Sequence, residues 1–476
     1  MAQQQTAAAA PSEASGGGTA SMMPLIALCT GYFMVILDTT IVSVALPRIG
    51  QGFHAGADLS GVQWVADGYT VVFAGLLLSA GSIGDRLGSK AVFQTGLVLF
   101  VVTSIGCGLA PSLGFLVVMR LLQGLAAALM VPTSLALIHA SYPQKEKRAR
   151  AIGVWGAIGG IAAASGPVLG GLLVAAFGWR SVFYVNLPFG ILGFALTARY
   201  VVAPRPARSA GLDLPAQALG ILTLGAIAYA VIEAGHRGWT APSVLAGFAL
   251  AVLCGGAFLL AEKRTKDPML PLGLFRNGTF SSATLVGLFL NTAFYGQLFV
   301  LTFYFQQYRH YPVLWAGLAI LPQTAMAAVS SMLGGRMTAR SGPRLPIVIG
   351  LAIGAAGFLG LLIAGRSTPY PALVLPLAAI GFGTAFAMPA TVTAVVESAP
   401  AGRAGTASGV LNCARQVGSA LGVALLGALV AGTSAFPTGM RVGTVISAGC
   451  FVAGIVVTWC GVERRRRAAD AALSGA

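Results

Sequence analysis

One acidic residue, Asp38, lies in a stretch from Leu25 to Pro47 that is otherwise apolar or carries only small polar groups. About 20 helical residues cross a hydrocarbon core about 30 Å thick, so this stretch is long enough to span a bilayer. An ionisable group there costs roughly 2.5–3.5 kcal/mol on insertion scales. The placement predicts a proton or ion site that faces a cavity, a structural carboxylate paired with a buried arginine, or both.

Two further charged residues in apolar segments, Arg120 and Asp67, are candidates for the same site. Arg120 shares a helix face with Gln123 and Gly124 through i, i+3 and i+4 spacing. A buried guanidinium stays charged and requires an anionic partner. Counted from the outer ends of the predicted helices at about 1.5 Å per residue, Asp38, Asp67 and Arg120 lie ~9–12 Å deep.

These three charges could load and release a proton. The guanidinium favours an ionised carboxylate, whereas burial and repulsion between carboxylates favour the protonated form. Solvent access that alternates between the two faces of the membrane would shift that balance. We therefore predict proton coupling by Asp38, Arg120 and Asp67; for Asp67, a position near the outer rim is an equal alternative.

The composition indicates an all-α integral membrane protein. Of the 476 residues, 56% are hydrophobic and 9% are charged, and the mean hydropathy is +0.83; soluble domains carry about 25% charged residues. Hydropathy predicts fourteen transmembrane helices, at 24–46, 61–83, 91–110, 113–138, 149–174, 182–202, 215–235, 243–261, 280–304, 313–334, 345–365, 372–396, 405–430 and 441–461.

The basic residues predict the orientation of these helices. Most of the 29 lysines and arginines fall in loops on one side, including the run Arg464–Arg467 after the last helix. By the positive-inside rule, this side is cytoplasmic and both termini lie there. Because the positive charge lies in short loops between apolar helices, the net charge of +16 does not indicate a nucleic-acid partner.

Two loops resemble each other. Gly, Arg, Gly and a basic residue recur at the same offsets in Gly81–Lys90 and Gly335–Arg344. Paired six-helix halves are a common transporter architecture, and chance similarity between turns rich in Gly and Arg is the alternative. The repeat predicts two six-helix bundles (24–202 and 280–461) with a linker that carries two inserted helices between them (203–279). The composition of residues 1–21, rich in Ala, Gln, Ser and Gly, predicts a disordered cytoplasmic N-terminus, and residues 462–476 are expected to form a cytoplasmic tail.

The first repeated loop is predicted to act as a gate. Glycines permit a tight turn, and the charged side chains could bridge helix ends and hold one conformation. A solvated turn without such a role is an equal alternative. The proposed gate residues are Gly81, Asp85, Arg86, Gly88, Lys90 and, in the second loop, Arg340.

The fifth predicted helix contains Gly166, Pro167 and Gly170 in a stripe of small residues. Proline removes a backbone hydrogen bond and permits a bend, whereas close helix packing alone would also explain the stripe. Polar and aromatic residues on other helices could line a cavity for bulky amphipathic ligands, or serve ordinary packing. These are Trp64, Gln123, Asn291, Phe294, Tyr295, Asn412 and Gln416.

Taken together, these motifs resemble the fourteen-helix drug:proton antiporters of the major facilitator superfamily, and among them exporters of the methylenomycin-resistance type. The resemblance covers about residues 24–461. It is carried by Leu37–Pro47, Gly81–Lys90, Arg120–Gly124, the Gly-Pro stripe and Trp179–Gly190. Ser43 stands where the first motif commonly has Asn. The Gly-Pro stripe resembles a segment associated with antiporters, which favours export.

The resemblance implies a proton-coupled antiporter that exports lipophilic drugs or antibiotics across the cytoplasmic membrane by alternating access. Trp64 could bind a cationic aromatic ligand, since aromatic faces bind cations. Alternatively, this residue could anchor its helix at the membrane interface. A proton-coupled uptake symporter for a small metabolite is the alternative function. We expect no enzymatic activity, catalytic residues, metal site or cofactor, with protons as the coupling ion, and a protein that functions in the bilayer as a monomer.

Overall fold

The computed structural model describes residues 22–53, 59–202, 214–265, 268, 270, 272–400, 404–431 and 436–462. Within these residues the chain is helical and contains no strand, which confirms the predicted all-α architecture. The predicted disordered N-terminus (1–21), linker residues 203–213 and tail residues 463–476 lie outside the described residues.

In the described part of the chain, fourteen long helices follow the fourteen predicted segments. They are α1 (Met23–Gly52), α2 (Leu59–Leu87), α3 (Ser89–Gly108), α4 (Leu113–Ser141), α5 (Lys145–Phe177), α6 (Ser181–Tyr200), α7 (Leu214–Arg237), α8 (Pro242–Arg264), α9 (Gly278–Phe303), α10 (Val313–Ser341), α11 (Arg344–Gly360), α12 (Tyr370–Glu397), α13 (Ala404–Ala431) and α14 (Phe436–Gly461). Val185 separates two helical segments within α6, and α9 continues as a π-helix, Tyr304–Tyr308.

Thirteen of these helices are long and apolar enough to cross a membrane, judged by length and composition of the described residues. The helix not among them is α2, which carries Asp67, Asp85 and Arg86. Its 29 residues correspond to about 43 Å of helix, which exceeds the thickness of the hydrocarbon core. Length therefore allows α2 to span the membrane with the others.

The outer end of α1 differs from the prediction. The helix was expected to end at residue 46, before Pro47, but it continues through this proline to Gly52. Proline inside a membrane helix is tolerated where neighbouring helices surround it, and the Trp179 ring packs against Gly52. Asp38 consequently lies 14 residues (52 − 38) from the outer end of α1, or about 21 Å, deeper than the predicted ~12 Å.

Glycines let the helices approach to backbone contact. A Cβ atom on Gly124 of α4 would overlap the Tyr69 carbonyl of α2. In the same way, a Cβ on Gly422 of α13 would overlap the Thr292 carbonyl of α9. Membrane helices associate mainly through such close packing, because lipid provides no hydrophobic force to bring them together. Helices α1–α6 pack mainly on one another, as do α9–α14.

The two sets of helices contact each other mainly along α5 and α10 and along α2 and α13. We call the side on which α1 begins the inner side. On the outer side, Gly171 of α5 packs on Val313 and Leu314 of α10, and Gly317 of α10 packs on the Pro167 carbonyl. On the same outer side, the Gln306 Nε2 donates to the Val44 carbonyl over 2.8 Å. These contacts close the outer side.

The same helix face of α5 is open on the inner side. Gly153 and Gly160 lie on the face that carries Pro167 and Gly171, because the spacings of 7, 7 and 4 residues are close to whole turns. No described heavy atom comes within 4 Å of a Cβ placed on Gly153 or Gly160. Among the described residues, the inner halves of α5 and α10 therefore stand apart, which indicates an inward-open arrangement of the two sets of helices.

Candidate functional site

The carboxylate of Asp38 on α1 forms an ion pair with the guanidinium of Arg120 on α4, between Oδ2 and Nη1. Both side chains are fully enclosed, with exposed fractions of 0% and 1%. The sequence predicted these two residues as partners because each carries a charge inside an apolar helix. A buried ion pair is sustained only when further hydrogen bonds satisfy its remaining atoms.

Two side-chain amides supply those bonds to the carboxylate. Asp38 Oδ1 accepts from Gln123 Nε2 (3.3 Å) and from Asn186 Nδ2 (3.0 Å). Ser104 Oγ accepts from the same two amide groups, over 2.7 and 3.1 Å. Helices α1, α3, α4 and α6 thus converge on one acidic group. Both oxygens of the carboxylate are occupied in its ionised form.

The guanidinium of Arg120 is also held on several sides. Nη1 donates to Gln123 Oε1 over 2.7 Å, and Nε donates to the Val65 carbonyl of α2 over 2.8 Å. The Tyr69 ring lies beneath it, with its centroid 4.4 Å from Cζ. Each contact favours the charged arginine. The network therefore stabilises two opposite charges, and a proton added to Asp38 would leave Arg120 without a counter-ion.

Sequence reasoning missed Ser104 and gave Asn186 no role. Asn186 begins the second segment of α6, immediately after the break at Val185, and this places its amide beside Asp38. An amide in an apolar segment was a usable signal for this residue. Ser104 offered almost none, since serines occur in many of these helices and usually bond to their own backbone.

Asp67 does not join this network. Arg120 contacts Val65 and Tyr69, and Asp67 lies two residues from each, so it projects from the opposite face of α2. Neither of its carboxylate oxygens has a hydrogen-bond partner among the described residues, and the side chain has no exposed surface. Gln63, one turn away on this face, packs against Gly427 of α13.

The repeated loops share a backbone feature. Gly88 and Gly342, which hold the same position in the two repeats, both adopt positive φ angles, +91° and +78°. Glycine is the residue that adopts this conformation without strain. Lys90 Nζ donates to the Ala198 carbonyl over 3.1 Å, while Arg86 and Arg340 are exposed at the inner ends of their helices. The surroundings of Gly81 and Asp85 lie outside the described part of the structure.

The family of this chain follows from comparison with known proteins. Residues 28–423 match the family model of the Major Facilitator Superfamily. That match covers well over half of the sequence. The chain belongs to the Major Facilitator Superfamily. It is therefore a membrane transporter and not an enzyme, and the family resemblance predicted from its motifs is confirmed.

Individual relatives within the superfamily align over most of the chain. The methylenomycin A resistance protein of Streptomyces coelicolor is 36% identical over 473 residues, covering 98% of this chain and 99% of that protein. The tetracenomycin C resistance and export protein of Streptomyces glaucescens is 37% identical over 415 residues, covering 86% and 75%. A bacterial homologue of the human lysosomal transporter Spinster, solved in an inward-facing conformation, has a TM-score of 0.63 at 18% identity, over 94% and 98% of the chains.

In this superfamily member, the Gly-Pro stripe joins three helices. A Cβ on Gly166 would overlap Thr40 of α1, and one on Gly170 would lie 3.0 Å from Ile41. The Pro167 carbonyl faces Gly317 of α10 across the two halves. α5 is assigned as one helix through Pro167, so close packing describes the stripe here, and a bend during transport stays a prediction.

Some of the predicted cavity residues have other surroundings. Gln123 belongs to the Asp38 network. Trp64 packs among residues of α7 and α13 and borders a groove beside the inserted helices. Asn291 is buried, and its Nδ2 donates to the Gly287 carbonyl of its own helix over 3.0 Å.

The remaining candidates lie on α9 and α13. Phe294 and Tyr295 are half-buried and meet edge to face at 5.3 Å. Tyr295 lies near Thr39 of α1, so it is placed where the two halves meet. Asn412 and Gln416 are half-buried on α13. The superfamily transporter thus has aromatic and polar groups at the junction of its halves, at the centre of the molecule.

Proposed function

We propose that this transporter is a proton-coupled antiporter that exports lipophilic drugs or antibiotics across the cytoplasmic membrane. The observation that carries the proposal is the buried Asp38–Arg120 pair with its amide partners. A carboxylate inside the membrane costs free energy even when a polar network surrounds it, and it is therefore expected to have a function. The resistance functions in the names of two relatives support drugs as the exported compounds.

The proposed cycle links the charge of Asp38 to the direction in which the transporter opens. With Asp38 ionised and paired, the transporter opens inward and receives the drug from the cytoplasm. After it opens outward, a proton from the outside neutralises Asp38, and Arg120 loses its counter-ion. Return to the inward-open form releases that proton to the cytoplasm and restores the ion pair. The inner opening and the ionised geometry of the pair occur together in the structure, which supports this assignment.

The location follows from the charge distribution. The concentration of lysines and arginines in the loops on one side supports a multi-pass protein of the cytoplasmic membrane with both termini inside the cell. The two halves, residues 24–202 and 280–461, would rock against each other around the central site. A single chain contains both halves, which supports function as a monomer.

A proteoliposome experiment tests the coupling. Purified protein is reconstituted with a pH-sensitive dye inside the vesicles, a proton gradient is imposed, and lipophilic antibiotics are added one at a time. We expect compound-dependent proton movement in the wild type, its loss in Asp38→Asn and its partial retention in Asp38→Glu. Glu233→Gln is the matched control, because it removes a carboxylate that is ion-paired with the largely exposed Arg237.

The outcomes separate the two functions. Proton movement opposite to the compound establishes antiport, whereas movement of both in the same direction would establish the uptake symporter. Compound-dependent proton movement that persists in Asp38→Asn would refute the role of this carboxylate.

A further inference from the structure

A second arginine, Arg415, lies well inside the membrane-spanning helix α13 and has no acidic partner among the described residues. It stands 11 residues (415 − 404) from the inner end of the helix, or about 16 Å, which is near the middle of the bilayer. Its side chain is half-buried. A charged residue at this depth faces a cavity or a partner and not lipid.

The surroundings of Arg415 place it at the junction of the two halves. Its Cγ lies 3.5 Å from the Cβ position of Gly287 on α9. Tyr295 on α9 and Tyr32 on α1 lie within electrostatic range of its guanidinium. Tyr32 in turn stacks on Trp155 of α5, with ring centroids 3.6 Å apart and planes inclined by 15°. The guanidinium therefore lies where α9 and α13 of one half face α1 of the other.

The hydrogen bonds of Arg415 leave most of its donors unused. Nη1 donates to Asn412 Oδ1 over 3.2 Å, and the buried Nε has no acceptor among the described residues. A guanidinium carries five N–H donors. Because Oδ1 of Asn412 is already an acceptor for Arg415, the Nδ2 group of this amide remains to donate to a ligand.

Arg415 also lacks a counter-ion. The ion pairs within the described residues are Asp38–Arg120 and Glu233–Arg237, and neither involves this arginine. The contrast with Arg120 is informative, since both arginines lie inside membrane-spanning helices and only Arg120 has a carboxylate partner among the described residues. An uncompensated guanidinium attracts an anion and repels a cation, and the low dielectric around it strengthens both effects.

We propose that the exported compound carries an anionic group, such as a carboxylate, which is bound by Arg415 and Asn412. Its aromatic or apolar body would pack against Tyr32, Trp155 and Tyr295. This assignment rests on the proposed export function and specifies its substrate class. It replaces the cationic ligand suggested by Trp64, which the structure places beside the inserted helices and not in this cavity.

Binding by three probes that share one aromatic body tests the charge preference. The probes are 2-naphthylacetate, 2-naphthylacetamide and 2-naphthylethylammonium, titrated by calorimetry into the full-length protein in a neutral detergent. We expect the carboxylate to bind most tightly. Its affinity should fall about 10- to 100-fold in Arg415→Gln, the loss typical of a hydrogen bond to a charged group, and should be largely kept in Arg415→Lys.

The control variant is Arg441→Gln, which makes the same chemical change at an exposed position on α14. The affinity of this variant for the carboxylate probe should equal that of the wild type. Equal or tighter binding of the ammonium probe, no binding of the carboxylate up to millimolar concentration, or an unchanged affinity in Arg415→Gln would overturn the proposal. So would displacement of the carboxylate probe by dioleoylphosphatidylglycerol at equal concentration, because a lipid headgroup would then be the natural occupant.

Binding in detergent does not depend on proton coupling, so the two proposals fail separately. Anion binding without compound-dependent proton movement in vesicles would refute antiport and leave the substrate class in place. Proton-driven export of cations alone would refute the anionic substrate class and leave antiport in place.

Discussion

At the scale of single residues, Asp38 and Arg120 form a buried ion pair in which each side chain neutralises the charge of the other. Asp38 and Arg120 were predictable because a charge inside an apolar helix requires an explanation. Ser104 was not, since a lone serine in a membrane helix is common. The separation of Asp67 from the pair was also beyond the sequence, because it depends on the rotation of α2 about its own axis.

The ion pair should show strong non-additivity in stability. Arg120→Gln leaves a buried carboxylate without its counter-ion, and such a loss costs about 3–5 kcal/mol. The double variant Asp38→Asn/Arg120→Gln removes both charges and should recover a large part of that loss. Thermal unfolding of the purified variants in detergent, followed by fluorescence, measures the difference.

The pair Glu233–Arg237 provides the control for this cycle. Its arginine is 64% exposed, and exposed ion pairs contribute about 0–1 kcal/mol. Gln substitutions at these two positions should therefore have small and additive effects. Additive losses at Asp38 and Arg120 would show that the two charges do not depend on each other.

At the scale of helices, the fourteen segments were predictable from hydropathy and their ends were not. Pro47 suggested a helix end, yet α1 continues because Trp179 and neighbouring helices pack around its outer turns. The break at Val185 had no clear signal, although it orients Asn186. Of the glycines in the repeated segments, Gly88 and Gly342 form turns with positive φ angles as predicted, whereas Gly81 lies inside α2 and the turn predicted there was wrong.

Close packing of α9 against α13 predicts a sharp difference between two glycines. Gly422→Ala would place its methyl group against the Thr292 carbonyl, so the helices must separate and the apparent melting temperature should fall. Gly449→Ala on α14 meets no described atom within 4 Å, and alanine favours helix by about 1 kcal/mol over glycine. The melting temperature of Gly449→Ala should therefore be unchanged or higher. A similar fall in melting temperature in both variants would contradict the close packing of α9 on α13.

At the scale of the whole molecule, the separation of α5 from α10 on the inner side predicts that one face of α5 is accessible from the inside. Gly160→Cys should react quickly with N-ethylmaleimide, because this position of α5 faces the inner opening. Ala316→Cys should react slowly, because Ala316 is fully buried at the outer end of α10. The parent protein, which has six cysteines, provides the background rate. Faster labelling of the cysteine at position 316 would indicate an outward-open resting state.

Export of an anion in exchange for a proton has an electrical consequence. When one monoanion leaves and one proton enters, two charges move in the same electrical direction. Each is worth about 2.3 kcal/mol per 100 mV of membrane potential. An inside-negative potential set by potassium and valinomycin should therefore accelerate outward transport of the carboxylate probe. One-for-one exchange of a monovalent cation for a proton would be unaffected.

The most direct test of the central claim compares driven transport with exchange in Asp38→Asn. Wild-type and variant proteoliposomes are assayed for proton-driven accumulation of a transported compound, and for exchange of labelled against unlabelled compound without a gradient. We predict that Asp38→Asn loses accumulation and retains exchange, because the substrate path remains while the proton site is neutralised. Accumulation by this variant at the wild-type level would contradict the account.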